Sequence, residues 1–298
     1  MANATKTLQQ LLGHYDSDEL VVPEIQRDFV WDKRNVLMLF DSLYRQLPIG
    51  SMLVWKAKKE VPVKLGVKLK LNTFYGYLLD GQQRLTAIKY IRDNDEKYPL
   101  LFSLKPVNKT DKHQNRFEYL SSKNKNNPWF VPVSEVLRDD FNAYAYLSDL
   151  EKKIGKEKIK ISNEENNALM RLHHILNYNV SINEFEDDNY STATELFIRF
   201  NSTGKKLNRN DLISAELALK VPELVSKKIK IFAGKYDNFP FTMSFLMQCL
   251  TAVHTGKMKF KKTEEIWTGG NKKNIRKSWD KTAKAIDRMI NFLFRLWF

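Results

Sequence analysis

The residues of this chain best suited to hold a phosphate stand in unbroken succession: Asp80-Gly81-Gln82-Gln83-Arg84. Ahead of them the apolar run Tyr75 to Leu79 reads as a buried strand. Behind them Leu85, Ile88 and Ile91 recur at helical spacing. The five polar residues therefore fall on a strand-to-helix turn. Gly81 can take a backbone conformation denied to other residues, or allow a close backbone approach. The unpaired N–H groups of the first helical turn point out of such a turn, where the helix dipole favours an anion. Arg84 adds a planar, permanently charged fork suited to phosphate. Asp80, at the end of the strand, can hold a metal ion, orient a water or cap the helix, and in the plainest case it only caps.

Two further stretches carry chemistry. Gln26-Arg27 follow an apolar run, Leu20 to Val22, and precede the aromatic residues Phe29 and Trp31. Gln26 offers a donor and an acceptor, and Arg27 a second guanidinium. An edge salt bridge to Asp28 or Asp32 is the competing role for Arg27. Asn201-Ser202-Thr203-Gly204-Lys205 is polar and lies between two expected helices. It is no Walker A loop: the upstream glycine is missing, residue 206 is Lys, and a helix rather than a strand precedes it. Gly204 would equally serve as a helix C-cap, which needs no ligand.

Taken together, Val22-Pro23-Glu24-Ile25-Gln26-Arg27-Asp28-Phe29-Val30-Trp31 with Leu47 to Ser51, the Asp80 to Arg84 turn, and Phe197 to Leu207 followed by Asp211 resemble the ParB-like family with the DGQQR signature. That family supplies the N-terminal domain of GmrSD-type, modification-dependent restriction and anti-phage defence proteins, and the resemblance covers roughly residues 5 to 220. It implies an α+β, ParB/sulfiredoxin-like domain. It also implies a nucleotide-binding pocket to which Gln26, Arg27, Gly81, Arg84, Asn201, Gly204 and Lys205 contribute. In the mechanism it implies, a nucleoside triphosphate of unspecified base is held by Gly81 and Arg84. Asp80, the metal candidate of the site and a ligand for Mg²⁺, then acts with Gln82 or Gln83 to position water. The chain is expected to be an NTPase coupled to DNA restriction. The alternatives are a DNA-binding adaptor that hydrolyses nothing and, ranked lowest, a ParB-like nuclease.

The elements that must position these groups are legible from periodicity. Thr7 to Leu12 reads as a short helix ending at Gly13, and Leu20 to Gln26 as a strand interrupted by Pro23. Asp32 is placed to cap a helix with an apolar stripe of Val36, Leu39, Phe40, Leu43 and Leu47. Strands are expected at Met52 to Trp55, Leu100 to Leu104 and Trp129 to Val133. A half-exposed hairpin is expected over Val61 to Leu71, and a polar excursion over Lys109 to Asn127. Glu164 to Asn177 reads as a helix, Tyr178 to Phe185 as a strand, Thr192 to Phe200 as a helix, and Asn208 as the cap of the next. Beyond Pro222 the helical segments are Leu224 to Phe232, Phe241 to His254 and Ser278 to Phe298. The division expected is an α+β domain over 1–221 and a mostly α-helical basic region over 222–298.

Composition sets the outer limits. The chain has 298 residues, 43% hydrophobic with six Trp, enough for a sizeable core. No apolar run approaches a membrane span and no signal-peptide core is present, so a cytoplasmic protein is expected. The single cysteine, Cys249, excludes an internal disulfide and reads as an inert thiol among Phe245, Leu246, Leu250 and Val253. His173 and His174 are adjacent and cannot form an i, i+4 metal pair. The acidic Glu184 to Asp188 stretch is a weak metal candidate. Net charge is +14, and it is unevenly placed. From Lys220 onward there are 17 Lys+Arg against 6 Asp+Glu; the first 219 residues carry 32 against 29. That asymmetry points to DNA, modified or not, with Lys257, Lys259, Lys261 and Lys262, and Lys272, Lys273, Arg276 and Lys277, as the densest contacts. A lysine-rich solvated face is the competing explanation. The tail holds one histidine, His254, and no HNH nuclease pattern. Its ending on Phe294 to Phe298 reads as a shortened chain or as one that works with an HNH-type nuclease, separate or C-terminal.

Overall fold

The computed structural model describes residues 2–57, 73–105, 116–154, 162–201, 209–236, 239–257, 266–267 and 271–297. The hairpin expected over Val61 to Leu71 and the cap expected at Asn208 lie outside these residues. At the centre is a mixed five-stranded sheet. Its strands are β1 (Ala2–Thr7), β2 (Leu20–Val21), β3 (Met52–Lys56), β4 (Gly76–Asp80) and β8 (Asn179–Glu186), in the order β1-β8-β3-β4-β2. β4 runs antiparallel to β3 and parallel to β2, and β3 runs parallel to β8. A separate antiparallel sheet of β5 (Leu100–Ser103), β6 (Phe117–Tyr119) and β7 (Phe130–Pro132) has the order β6-β5-β7.

The apolar run before the signature turn is continuous because both faces of the sheet are covered. Successive side chains of a strand point to opposite faces. Met52, Val54 and Leu78 accordingly join one core with α1 (Leu8–Asp16), α2 (Lys33–Tyr44), α3 (Gln82–Arg92) and α6 (Asn163–His173). Leu53, Trp55, Tyr77 and Leu79 join a second core. Its other members come from α7 (Tyr190–Asn201), α8 (Arg209–Lys220), a π-helical turn at Val225–Ile229, α9 (Lys230–Ala233), α10 (Met243–Thr255) and α11 (Lys272–Trp297). The boundary expected near Val221 falls inside this second core, which joins sheet residues to the C-terminal helices. α4 (Val133–Val136) and α5 (Ala143–Ile154) complete the set.

Several boundaries differ from expectation for local reasons. β1 holds no large apolar residue, only Ala2 and Ala4 among polar ones, and its pairing with β8 makes it a strand. Thr7 and Gln10 form a reciprocal capping box, and α1 runs through Gly13 to Asp16. Asp32 caps α2 by accepting from the Asn35 N–H at 2.9 Å, as the sequence suggested. α2 stops at Tyr44, and Leu47 lies beyond it, 38% exposed. β2 is two residues long: Pro23 has no N–H to give a sheet ladder, and the chain leaves the sheet there. Phe117–Tyr119, within the expected polar excursion, is a strand. The helix expected to reach Asn177 ends as a 3₁₀ turn at His174–Asn177.

Candidate functional site

The turn between β4 and α3 is built as its residues dictate. Gly81 has φ +100°, a left-handed conformation that disfavours any side chain, and a Cβ there would lie 2.6 Å from Met52 Cγ. No side chain caps α3, and its first turn carries no acidic residue. The helix start is therefore uncapped, its N–H dipoles uncompensated by any side chain among the described residues, while Gly81 and Gln82 are themselves buried.

Arg84 is half-withdrawn from solvent, its side chain 13% exposed. Its guanidinium donates to the backbone carbonyls of Ile49 at 2.7 Å and Ser51 at 2.8 Å, and to Asp80 Oδ2 at 2.8 Å. The Leu47 to Ser51 loop therefore wraps around the fork. Gly50, at φ +84°, makes this possible, since a Cβ there would fall 2.9 Å from Arg84 Nη1. Gln83 is engaged at both ends of its amide: Oε1 accepts from the Val30 N–H at 2.9 Å and Nε2 donates to the Asp28 carbonyl at 3.1 Å. Gln82 is buried, and so is Gln26, whose Nε2 donates to the Leu78 carbonyl on β4.

Residues 24–30 thus form a strap. One side is tied to the signature turn through Gln26 and Gln83. The other is tied to the C-terminal helices. Arg27 pairs with Asp211 of α8 at 3.0 Å, and Asp28 with Lys230 of α9 at 2.7 Å. The buried Glu24 carboxylate accepts from the backbone N–H groups of Glu223 at 2.8 Å and Ser226 at 2.7 Å. The salt bridge weighed for Arg27 against a site role exists, with Asp211 of α8 as a partner. A cleft of about 170 Å³ opens beside the strap, between Gln26, Arg27, Asp28 and the facing Asp211, Ser214 and Lys230.

Asp80, Gly81, Gln83, Arg84 and Gln26 are therefore brought together around one turn, and Arg27 is turned to α8. Asn201 is the last residue of α7; Gly204 and Lys205 lie outside the described residues, as do Lys259, Lys261 and Lys262. Lys257, Lys272, Lys273, Arg276 and Lys277 are exposed. What sequence reasoning missed is the backbone half of the site: the carbonyls of Asp28, Ile49 and Ser51, and the buried Glu24. Only the polar residues of the Val22 to Trp31 stretch gave any signal of it. As a metal ligand Asp80 stands alone and already accepts from Arg84. Among the described residues no group of three or more His, Cys, Asp or Glu is placed to share an ion. That donor set does not fit a resident Mg²⁺, which needs near-octahedral oxygen. His173 bonds the Val136 carbonyl through Nδ1 at 2.8 Å, a packing role. Burial pushes the half-buried Cys249 thiol up, away from the reactive thiolate.

Among curated proteins, the uncharacterized protein MJ0686 of Methanocaldococcus jannaschii is 26% identical over 285 residues, covering 83% of this chain and 48% of that one. The chain thus spans about half the length of the relative it matches. No helix among the described residues is long and apolar enough to cross a membrane. Residues 8–218, which include the strap, the wrapped arginine and the uncapped helix start, match the GmrSD restriction endonuclease, N-terminal domain. The chain belongs to that family.

Proposed function

We propose that this chain is the nucleotide-binding sensor or regulatory domain of a modification-dependent DNA restriction, or phage-defence, system. The ParB-like reading of the fold belongs to the same proposal. The observation that carries it is the uncapped start of α3: Gly81 in a left-handed conformation, no first-turn acid, and the Asp80–Arg84 ion pair at its edge. A triphosphate would accept from the N–H groups of Gly81 and of the first helical turn, Gln82, Gln83 and Arg84. Arg84 would turn a donor from Asp80 to the phosphate, and Arg27, Asn201, Gly204 and Lys205 would complete the pocket. Hydrolysis would then rest on placement and on donors aimed at developing charge, with Asp80 and Gln82 or Gln83 orienting water. Any Mg²⁺ would arrive with the nucleotide. DNA is the partner, and an HNH-type nuclease would do the cutting.

A specific observation favours a second reading, a DNA-binding adaptor that binds phosphate without hydrolysing it. Both ends of the Gln83 amide are already engaged with the strap, so Gln83 acts as a tether rather than as a partner for water. The test is phosphate release from each of the four nucleoside triphosphates in Mg²⁺ buffer, with and without DNA. Asp80→Asn keeps the shape of the side chain. It should abolish release while the nucleotide still binds without Mg²⁺. Release at the parental rate in Asp80→Asn would reduce Asp80 to an ion-pair partner. Tight binding with no release by the parent would select the adaptor.

A further inference from the structure

One of the two densest runs of positive charge in the sequence, Lys272 to Lys277, is not one surface. α11 turns about 100° per residue. Its buried side is marked by Ile275, Trp279, Thr282, Ile286 and Ile290, each at most 5% exposed. Lys273, Lys277, Lys281, Lys284, Arg288 and Arg295 follow one another at steps of four, four, three, four and seven residues, and all are exposed. At 3.6 residues per turn they form one row, about 180° from the buried side and about 33 Å long. Arg276 falls on a flank and Lys272, in the first turn, on the bearing of the buried side, whereas Lys281, Lys284, Arg288 and Arg295 belong to the row although no local charge cluster marks them.

The row is also unneutralised. The two acids of α11 sit on the same flank and are turned to other helices. Asp280 lies 3.7 Å from Lys228, and Asp287 lies 2.9 Å from Lys235 and also accepts from the Tyr236 hydroxyl. No ion pair among the described residues involves the six cations of the row. From this placement we infer that α11 is a phosphate-tracking surface for duplex DNA, six cations laid along about one turn of the double helix. A duplex fits better than a membrane. A basic helix lying on lipid must sink an apolar face into it, and the main apolar face of α11 is committed to the protein core, which leaves Met289 and Phe292 as its large exposed apolar side chains. It also fits better than an acidic protein patch, because the charges extend in one band along the whole helix rather than gathering at one spot. The inference rests on the DNA partner proposed above, but not on nucleotide binding at the turn.

The test compares two variants of equal net charge. One carries Lys273, Lys277, Lys281, Lys284 and Arg288 all changed to Gln. The other carries Lys97, Lys123, Lys125, Lys152 and Lys153 changed to Gln, all exposed positions off the row. Circular dichroism melts establish that both are folded. Binding of the full chain to a fluorescent 30-base-pair duplex is followed by anisotropy across salt concentrations. Each lost phosphate contact removes about 0.9 from the slope of log affinity against log salt. The row variant should therefore flatten the slope by about two to four units and bind at least about ten-fold more weakly at 0.1 M salt. The off-row variant should stay within about one unit of the parent. Equal slopes and affinities in the two variants would overturn the inference. So would loss of binding to phosphatidylserine vesicles in the row variant with DNA binding unchanged. Triphosphate binding, measured on the same samples, should match the parent in both. Loss of the row effect with nucleotide binding intact would remove this surface and leave the turn in place. The reverse would remove the turn and leave this surface.

Discussion

At the scale of single residues, the signature works largely through the backbone. Gly81 is required twice over, by its positive φ and by the 2.6 Å approach a Cβ would make to Met52. The left-handed conformation alone costs an alanine about 1–2 kcal/mol. Gly81→Ala should lower stability by about 2 kcal/mol or more in a urea titration, and an unchanged midpoint would mean the turn relaxes freely. Arg84 has two tasks in this account, holding the 47–51 loop and meeting phosphate. Arg84→Ala leaves the Ile49 and Ser51 carbonyls without their donor. Each hydrogen bond to a charged group is worth about 1.5–3 kcal/mol, so both the melting temperature and triphosphate affinity should fall, the latter ten-fold or more. A fall in stability with unchanged affinity would confine Arg84 to the loop. The position and strand-helix context of the turn were legible because Gly81 and the switch from an apolar run to helical spacing are local signals. The acceptors of Arg84 and Gln83 were not, since backbone carbonyls carry no residue-type signature and those of Ile49 and Asp28 lie 35 and 55 positions away.

At the scale of elements, the strap over residues 24–30 joins the signature turn to the C-terminal helices, and Glu24 is its firmest attachment. Its two acceptor contacts hold Glu223, itself in a left-handed conformation at φ +68°, and Ser226, in the π-helical turn. Glu24→Gln weakens both charge-assisted bonds. It should speed amide exchange over residues 223–233 while exchange over β3 and β4 stays as in the parent; uniform behaviour across the chain would deny the strap a local role. The sheet has an ionic clamp of its own. Burial raises the Glu184 carboxyl on β8, but hydrogen bonds from Tyr75 and Lys56 outweigh it and hold the group below the ordinary carboxylate value. A pKa depressed on folding adds stability above the unfolded value of about 4.3, lost as pH falls through the folded one. Glu184→Gln should therefore be less stable than the parent at pH 7 and converge with it in acid; a constant gap between the two at all pH values would rule the clamp out. Helices with caps and apolar stripes, such as α2, could be read directly from sequence. β1 could not, because its strand character comes from pairing with β8, some 180 residues away.

At the scale of the whole molecule, the central sheet lies between two cores, and the C-terminal helices supply much of the second. Charge and hydropathy together hinted at a separate basic unit after residue 221. They could not show that Val221, Leu224 and Ile229 pack in one cluster with Trp55 and Tyr77, because packing between distant segments leaves no mark in local composition. One consequence is physical continuity: the strand leading into the signature turn and the strap, both within the residues 8–218 that match the family, pack in one cluster with helices that lie beyond the match. The central claim is that the start of α3 takes the phosphates of a nucleotide. Amide hydrogen exchange of the full chain, with and without saturating nucleoside triphosphate, tests it most directly. Slowed exchange is expected at the backbone N–H groups of Gln82, Gln83 and Arg84, the donors nearest the bound anion. Unchanged exchange at those three positions, with ligand bound and protection appearing elsewhere, would contradict it.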